Sequence, residues 1–248
     1  MSEKIWRYIP PIEADGKTQM AIDEWLLDQH LAGNMPSILR FYTWKPAAIS
    51  LGHHQRKYPQ EWHNLTYQGQ KIDIIRRPSG GRAVLHQGDL TYAIITSGLK
   101  GDRCQVYKRL CSFLIEGFHE LGIELSYGKP QRNYTHHNNC FRTHTSADLV
   151  THDGYKLIGS AQLRRKNALL QHGSIRFNPD ESLYKDIFAE ELIAVDGVQR
   201  LNSSTVISSL ISAAESLWQG KFCKNPLDAE DMENVKSFQA KQRLVQKK

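Results

Sequence analysis

Chemistry in this 248-residue chain could sit at a glycine-rich stretch, at a cysteine followed by a lysine, and at a histidine-rich loop. The glycine stretch is Arg76-Arg77-Pro78-Ser79-Gly80-Gly81-Arg82-Ala83-Val84-Leu85-His86, set between strand-like runs at 71–75 and 90–95. Adjacent glycines let backbone amides approach a ligand with no side chain in the way. Arg76, Arg77 and Arg82 can hold a carboxylate or phosphate by paired hydrogen bonds. A plain hairpin turn is the competing reading. Cys140 lies in a polar loop shortly before Lys156, and a reactive cysteine needs an electropositive, partly exposed place of that kind. An incidental surface thiol and a solvent-facing strand lysine are the ordinary readings of the two. His136, His137, Cys140 and His144 are all possible metal ligands. They crowd into one short loop, without the two-part spacing of a zinc finger, so no metal is expected.

Elements must position these groups. Met20, Ala21, Trp25, Leu26 and Leu27 alternate with acids at helical spacing and predict a helix over 18–33, ended by Gly33. The β-formers at 38–44, stopped by Pro46, and the run 48–52 predict strands before the glycine stretch. Val106, Leu110, Phe113, Leu114, Phe118 and Leu121 predict a helix over 105–121 capped by Gly122, with Cys111 a small core residue. Residues 127–145 are polar and irregular, a loop too long to be idle. Asp153-Gly154 is a hairpin turn between strands at 147–151 and 155–163, and 169–175 predicts a further antiparallel strand. Helices are expected over 204–219 and 228–243. Strands grouped with flanking helices, without regular βαβ alternation, predict an α+β fold. The expected architecture is a mixed or antiparallel sheet flanked by helices, with no repeat and no linker, in one domain over 1–248.

Composition narrows the classes. Hydrophobic content of 40% and charged content of 23% describe a soluble globular chain, and no apolar run is long enough to span a membrane. The charged start, Met1-Ser2-Glu3-Lys4, does not read as a signal peptide, so a cytoplasmic location is expected. The four cysteines show no C-x-x-C spacing and are read as reduced thiols. A formal charge of +6 suggests an acidic partner without choosing one. No nucleic-acid motif accompanies it.

The motifs together resemble the biotin/lipoate A/B protein ligase family. Beside the glycine stretch, the resemblance rests on Met20-Ala21-Ile22-Asp23-Glu24, on Leu39-Arg40-Phe41-Tyr42 through Ser50-Leu51-Gly52, on Lys156-Leu157-Ile158-Gly159-Ser160-Ala161-Gln162, and on Gln171-His172-Gly173-Ser174. It covers roughly residues 18–195 and implies that family's catalytic-domain fold. The family contains ligases that activate lipoate with ATP and octanoyltransferases that move an acyl group from a carrier-protein thioester through a cysteine. Asn139-Cys140-Phe141 resembles the nucleophile segment of the Gram-positive-type octanoyltransferases. The glycine stretch has Arg82 and Gln87 where ligases usually carry a third glycine and an acid, and the extra C-terminal domain common in ligases is missing.

The resemblance therefore implies octanoyl transfer from octanoyl-acyl carrier protein to a lysine of a lipoyl-domain protein such as the glycine-cleavage H protein. Cys140 would be the nucleophile, since a thioester intermediate of similar energy splits the transfer into two steps. Lys156 would stabilise its thiolate and shuttle a proton. Arg77, Ser79, Gly80, Gly81, Arg82, Ala83, Val84, Leu85 and His86 would enclose the acyl chain. Gly159, Ser160 and Ala161 would offer backbone hydrogen bonds to its carbonyl, with His172, Gly173 and Ser174 beside them. Close packing within the sheet is the other reading of the small residues, and a satisfied core position that of each histidine. No cofactor is expected, and the chain is expected to act as a monomer. The alternatives are an ATP-dependent lipoate–protein ligase and a non-catalytic basic protein holding zinc in its His/Cys loop.

Overall fold

A computed structural model describes residues 4–128, 148–192 and 197–245. In chain order the elements begin with β1 (Lys4–Ala14), α1 (Gly16–Leu31), β2 (Ser37–Trp44) and β3 (Ala48–Leu51). A 3-10 turn (Gln60–Asn64) leads to β4 (Thr66–Tyr67), β5 (Gln70–Lys71), β6 (Asp73–Arg76), β7 (Val84–His86) and β8 (Asp89–Ser97). Then come α2 (Arg103–Glu120), β9 (Leu125–Tyr127), β10 (Leu149–Thr151), β11 (Lys156–Arg165), β12 (Ala168–Arg176) and α3 (Glu181–Phe188). The chain closes with α4 (Ser203–Trp218), β13 (Gly220–Lys224) and α5 (Ala229–Val245).

The main sheet has eight strands in the order β13-β1-β2-β8-β12-β11-β10-β9. β1 runs parallel to both β13 and β2, and every other pairing is antiparallel. Side chains alternate across a strand, so β2 sends Leu39 and Phe41 to one face and Ile38, Tyr42 and Trp44 to the other. β8 divides Leu90, Tyr92 and Ile94 from Ala93 and Ile95 in the same way. One face is covered by α2 and α4, the other by α1 and α5. α1 starts at Asp15, whose carboxylate accepts from the backbone N–H of Lys17 and Thr18 at 3.0 Å. α2 starts with a capping box between Asp102 and Gln105, and Gly122 follows its end at φ +78°, as the sequence predicts.

A second sheet of three strands, β6-β3-β7, packs Ile49, Leu51, Trp62, Ala83 and Leu85 against Leu183, Tyr184 and Ile187 of α3. β3 lies at its centre, parallel to β6 and antiparallel to β7. The glycine stretch is therefore the turn that carries the chain from one flank of β3 to the other.

The α+β architecture stands as predicted, and so does the hairpin at Asp153-Gly154. Sequence reading misses β1, because Pro10, Pro11 and a register shift between Ile9 and Ile12 interrupt its alternation. It misses β13 because Lys221, Cys223 and Lys224 leave little apolar signal at that sheet edge. α3, only eight residues long, is also missed. No helix among the described residues is long and apolar enough to cross a membrane.

Candidate active site

A cleft opens where the two sheets meet. Its lining comes from Met20 on α1, Tyr42 and Trp44 on β2, Ser50 on β3, the glycine stretch, Thr91 on β8, Asp148, and residues of β11 and β12.

The glycine stretch is held from inside by Arg77. Its Nη1 donates to the Ser50 carbonyl at 2.7 Å and the Ser50 hydroxyl at 3.1 Å, its Nη2 to the carbonyls of Arg82 at 2.6 Å and Gly80 at 2.9 Å, and its Nε to Gly80 at 3.2 Å. Arg76 Nη1 likewise donates to the carbonyls of Gly52 at 2.8 Å and Gln55 at 2.7 Å. The expectation that these two arginines clamp a ligand anion gives way to another role. They convert turn carbonyls into fixed anchor points. Gly81 sits at φ +100°, and a Cβ on it would lie 2.7 Å from Arg77 Nη2. A Cβ on Gly52 would lie 2.0 Å from the Gly81 carbonyl oxygen. Glycine at both places is a packing requirement.

Both predicted histidines line the cleft, each braced between an acid and a hydroxyl. His86 places Nδ1 2.8 Å from Asp89 Oδ2 and Nε2 2.8 Å from Ser50 Oγ, and stacks on Trp44 with centroids 3.8 Å apart. The Asp89 carboxylate also accepts from Ser174 Oγ at 2.7 Å and Thr91 Oγ1 at 3.1 Å. Burial is the dominant influence on His86 and lowers its pKa, the nearby Asp89 notwithstanding. His172 places Nδ1 3.0 Å from Asp23 Oδ2 and Nε2 2.5 Å from Ser79 Oγ. Asp23 in turn accepts from Arg40 Nη1 at 3.0 Å and Tyr42 Oη at 2.9 Å, and Arg40 also donates to Gln19 Oε1. Ser79 is thus tied through His172 to α1 and β2.

Lys156 is not the solvent-facing lysine of the bland reading. Its side chain is 1% exposed and pairs at 2.9 Å with Asp148, which lines the cleft. β10 ends at Leu149, opposite Ile158, so beyond Ile158 the outer edge of β11 has no strand partner among the described residues. Residues 159–161 lie on that stretch, pair with 172–174 on their other side, and line the cleft. Backbone N–H groups on that outer edge face no strand among the described residues, a position from which they could meet an oxygen. Behind them Ser160 Oγ lies 2.7 Å from Tyr92 Oη, and Gln171 donates to Tyr92 Oη at 3.1 Å. Gln171 also donates to the Cys111 sulfur, whose thiol is pushed up to about 12 by burial. Cys111 is the inert core thiol expected.

Of the predicted residues, Arg77, Gly80, Gly81, Val84, His86, Gly159, Ser160, Ala161, His172, Gly173 and Ser174 share this cleft. Ser79 stands behind it on His172, while Ala83 and Leu85 point into the core of the small sheet. Arg82 presents its carbonyl to Arg77. Cys140, and with it the His136, His137 and His144 loop, lies outside the described residues. The segment holding Cys140 departs from Gly128 and returns at Asp148, and the Gly128 N–H donates to the Asp148 carbonyl at 2.9 Å. No cluster of metal-ligating side chains occurs among the described residues. Sequence reading overlooked Trp44, Ser50, Thr91 and Asp148, each an ordinary strand or loop residue until the sheets meet. It also overlooked Asp23 and Asp89 as braces, although Asp23 falls inside a motif already quoted.

These walls belong to an acyl-binding catalytic domain. The lipoyl protein ligase A/B catalytic-domain model matches residues 15–215, and the chain belongs to that family. Octanoyltransferase LipM of Halalkalibacterium halodurans is 34% identical over 194 residues, 74% of this chain and 70% of that protein. Lipoate-protein ligase A bound with ATP superposes with a TM-score of 0.77 at 19% identity, over 95% of this chain and 94% of the other. A bipartite lipoate protein ligase, studied with its E2 lipoyl domain from Thermoplasma acidophilum, gives a TM-score of 0.69 at 18% identity over 97% and 93%. At those identities the two structures establish the fold alone.

Proposed function

We propose that this chain is an octanoyltransferase of lipoate biosynthesis that works through a thioester on Cys140. Octanoyl transfer is the activity named for the relative that matches it over most of its length, and the chain is an acyltransferase. The donor is octanoyl-acyl carrier protein and the acceptor is a lysine of a lipoyl-domain protein such as the glycine-cleavage H protein. The observation that supports this reading best is the buried Lys156–Asp148 pair at the cleft wall, at the return point of the segment that carries Cys140.

The chemistry follows from that placement. The Cys140 thiolate attacks the thioester carbonyl, the C–S bond to the carrier breaks, and the carrier thiolate takes a proton. The acceptor amine then attacks the enzyme thioester, Cys140 leaves as thiolate, and the new amide nitrogen loses its extra proton. Lys156 supplies and recovers those protons. The outer edge of β11 at 159–161, without a strand partner among the described residues, steadies the oxygen that becomes negative at each tetrahedral stage. Only seven residues separate Cys140 from Asp148. An extended tether of that length reaches about 25–30 Å, so the thiol can enter the cleft.

Pure protein incubated with octanoyl-carrier protein and no ATP should gain one octanoyl group, mapped to Cys140, which then passes to apo H protein. Transfer that demands ATP and survives Cys140→Ala would make the chain a lipoate ligase instead.

A further inference from the structure

A second cleft lies on the outer side of the glycine stretch and adjoins the first, since Arg77 and Gly80 line both. Its rim carries the cations Arg76, Arg103, Arg164 and Lys241, with His53 and His54 beside them. Glu24 is the acid that lines it, and Arg165 already neutralises Glu24 at 2.6 Å. Arg103, Arg164 and Lys241 are exposed and make no ion pair among the described residues. Arg76 is pinned by the backbone carbonyls it meets, so its charge is fixed at the rim.

One neutral group in this cleft also lacks a partner. Gln162 donates through Nε2 to Gln171 Oε1 at 2.7 Å, but its own Oε1 is buried and accepts from no donor among the described residues. A buried amide oxygen without a donor is costly and points to a ligand N–H. Gln162 lines this cleft and directly follows Ala161, which lines the first.

We propose that this cleft seats the phosphate-bearing, amide-containing arm of the acyl donor, an arm of the phosphopantetheine type. The proposal rests on the acyl-transfer reading above. Arg103 and Arg164 meet the phosphate, Gln162 Oε1 accepts an amide N–H of the arm, and the thioester end passes Gly80 into the acyl cleft. A phosphodiester is drawn to uncompensated guanidinium groups. The acceptor substrate offers the opposite charge. A lysine side chain presented through a cation-lined cleft meets like-charge repulsion, so the donor is the occupant that fits.

Octanoyl-4′-phosphopantetheine and octanoyl-pantetheine differ only in the phosphate and make the test. Calorimetric titration of the wild-type protein should show the phosphorylated form binding at least ten-fold more tightly. Arg103→Glu and Arg164→Glu, both surface changes, should erase that difference while leaving the affinity for octanoyl-pantetheine within two-fold. Gln162→Leu should weaken both ligands equally. In turnover, the two charge reversals should raise KM for octanoyl-carrier protein and leave KM for the lipoyl-domain acceptor unchanged. Equal affinity for the two ligands in wild type overturns the proposal, and so does a KM effect confined to the acceptor. Binding is read without catalysis, so a protein that discriminates the phosphate yet transfers no octanoyl group refutes the acyl-transfer reading and not this cleft.

Discussion

Removing the Lys156 charge should destabilise the protein far more than removing the pair. Lys156 and Asp148 meet at 2.9 Å with side-chain exposures of 1% and 5%. At an effective dielectric of about 20 that separation corresponds to about 6 kcal/mol of attraction, offset by the cost of taking both ions out of water. Lys156→Met removes the cation paired with this buried carboxylate, and breaking a buried pair from one side costs about 3–5 kcal/mol. For a chain of this length that is a fall in Tm of about 6–20 °C. Asp148→Leu should cost a similar amount, since it breaks the same pair from the other side. The double variant replaces both ions with apolar groups and should return to within about 1 kcal/mol of wild type. Urea titrations of all four proteins give the coupling directly. Acylation by octanoyl-carrier protein should not return with stability, since the group proposed to move the proton is gone. Lys156→Arg separates charge from proton transfer: guanidinium keeps the charge but does not release a proton near neutral pH, so turnover should fall on the order of 100-fold. Additive single effects, or a double variant that acylates normally, would refute the reasoning.

Three further outcomes are expected. Gly52→Ala places a Cβ 2.0 Å from the Gly81 carbonyl oxygen, outside the cleft lining. The displaced turn should slow single-turnover acylation on the order of 100-fold while the protein still folds, and full activity would mean that the position of Gly81 is immaterial. His86 has a folded pKa below its unfolded value of about 6.5, so from there down to the folded pKa the unfolded chain holds a proton that the native state lacks. Stability should therefore fall with pH in that window by up to about 1.4 kcal/mol per unit, and His86→Asn should flatten the slope; parallel curves would show that His86 does not titrate differently on unfolding. Native alkylation at pH 8 should label exposed Cys104 and Cys223 and spare Cys111, whose thiol is both buried and raised to about 12; label on Cys111 would contradict the packing of α2.

Much of this was legible in the sequence, for reasons that differ by element. α2 and the strands β2, β8 and β12 bury their apolar residues with an unbroken period, so composition and spacing were enough. The glycine stretch was legible as a site, but the part played by its arginines was not. Whether a guanidinium meets a ligand or a backbone carbonyl depends on where Ser50 and Gly80 lie in space, and nothing in the local string records that. Lys156 shows the same limit. Two residues after an Asp-Gly hairpin turn, a lysine reads as solvent-facing, and only the packing of Asp148 against it turns the position inward. β1 was lost to its own irregularity, and β13 to its polarity.

The distribution of hydrogen bonds across the cleft bears on how one fold serves two chemistries. Arg77, His86, His172, Asp23 and Asp89 are the polar residues that the family motifs mark or that stand directly behind them, and they bond to backbone carbonyls, hydroxyls, Arg40 or each other. They fix the shape of the cleft, which is the acyl slot in the reading proposed here. A slot so braced is indifferent to how the carbonyl inside it is activated, by adenylation or by transfer to sulfur. That accounts for a chain whose structural likeness is to an ATP-bound ligase while its sequence likeness is to an octanoyltransferase. The reaction must then be decided by groups that the braces do not use. In the reading proposed here, those are the outer edge of β11 at 159–161, the Lys156–Asp148 pair, the basic cleft beyond Gly80 and Cys140. Exchanging the braces between the two kinds of enzyme should preserve each chemistry, whereas moving Cys140 should not.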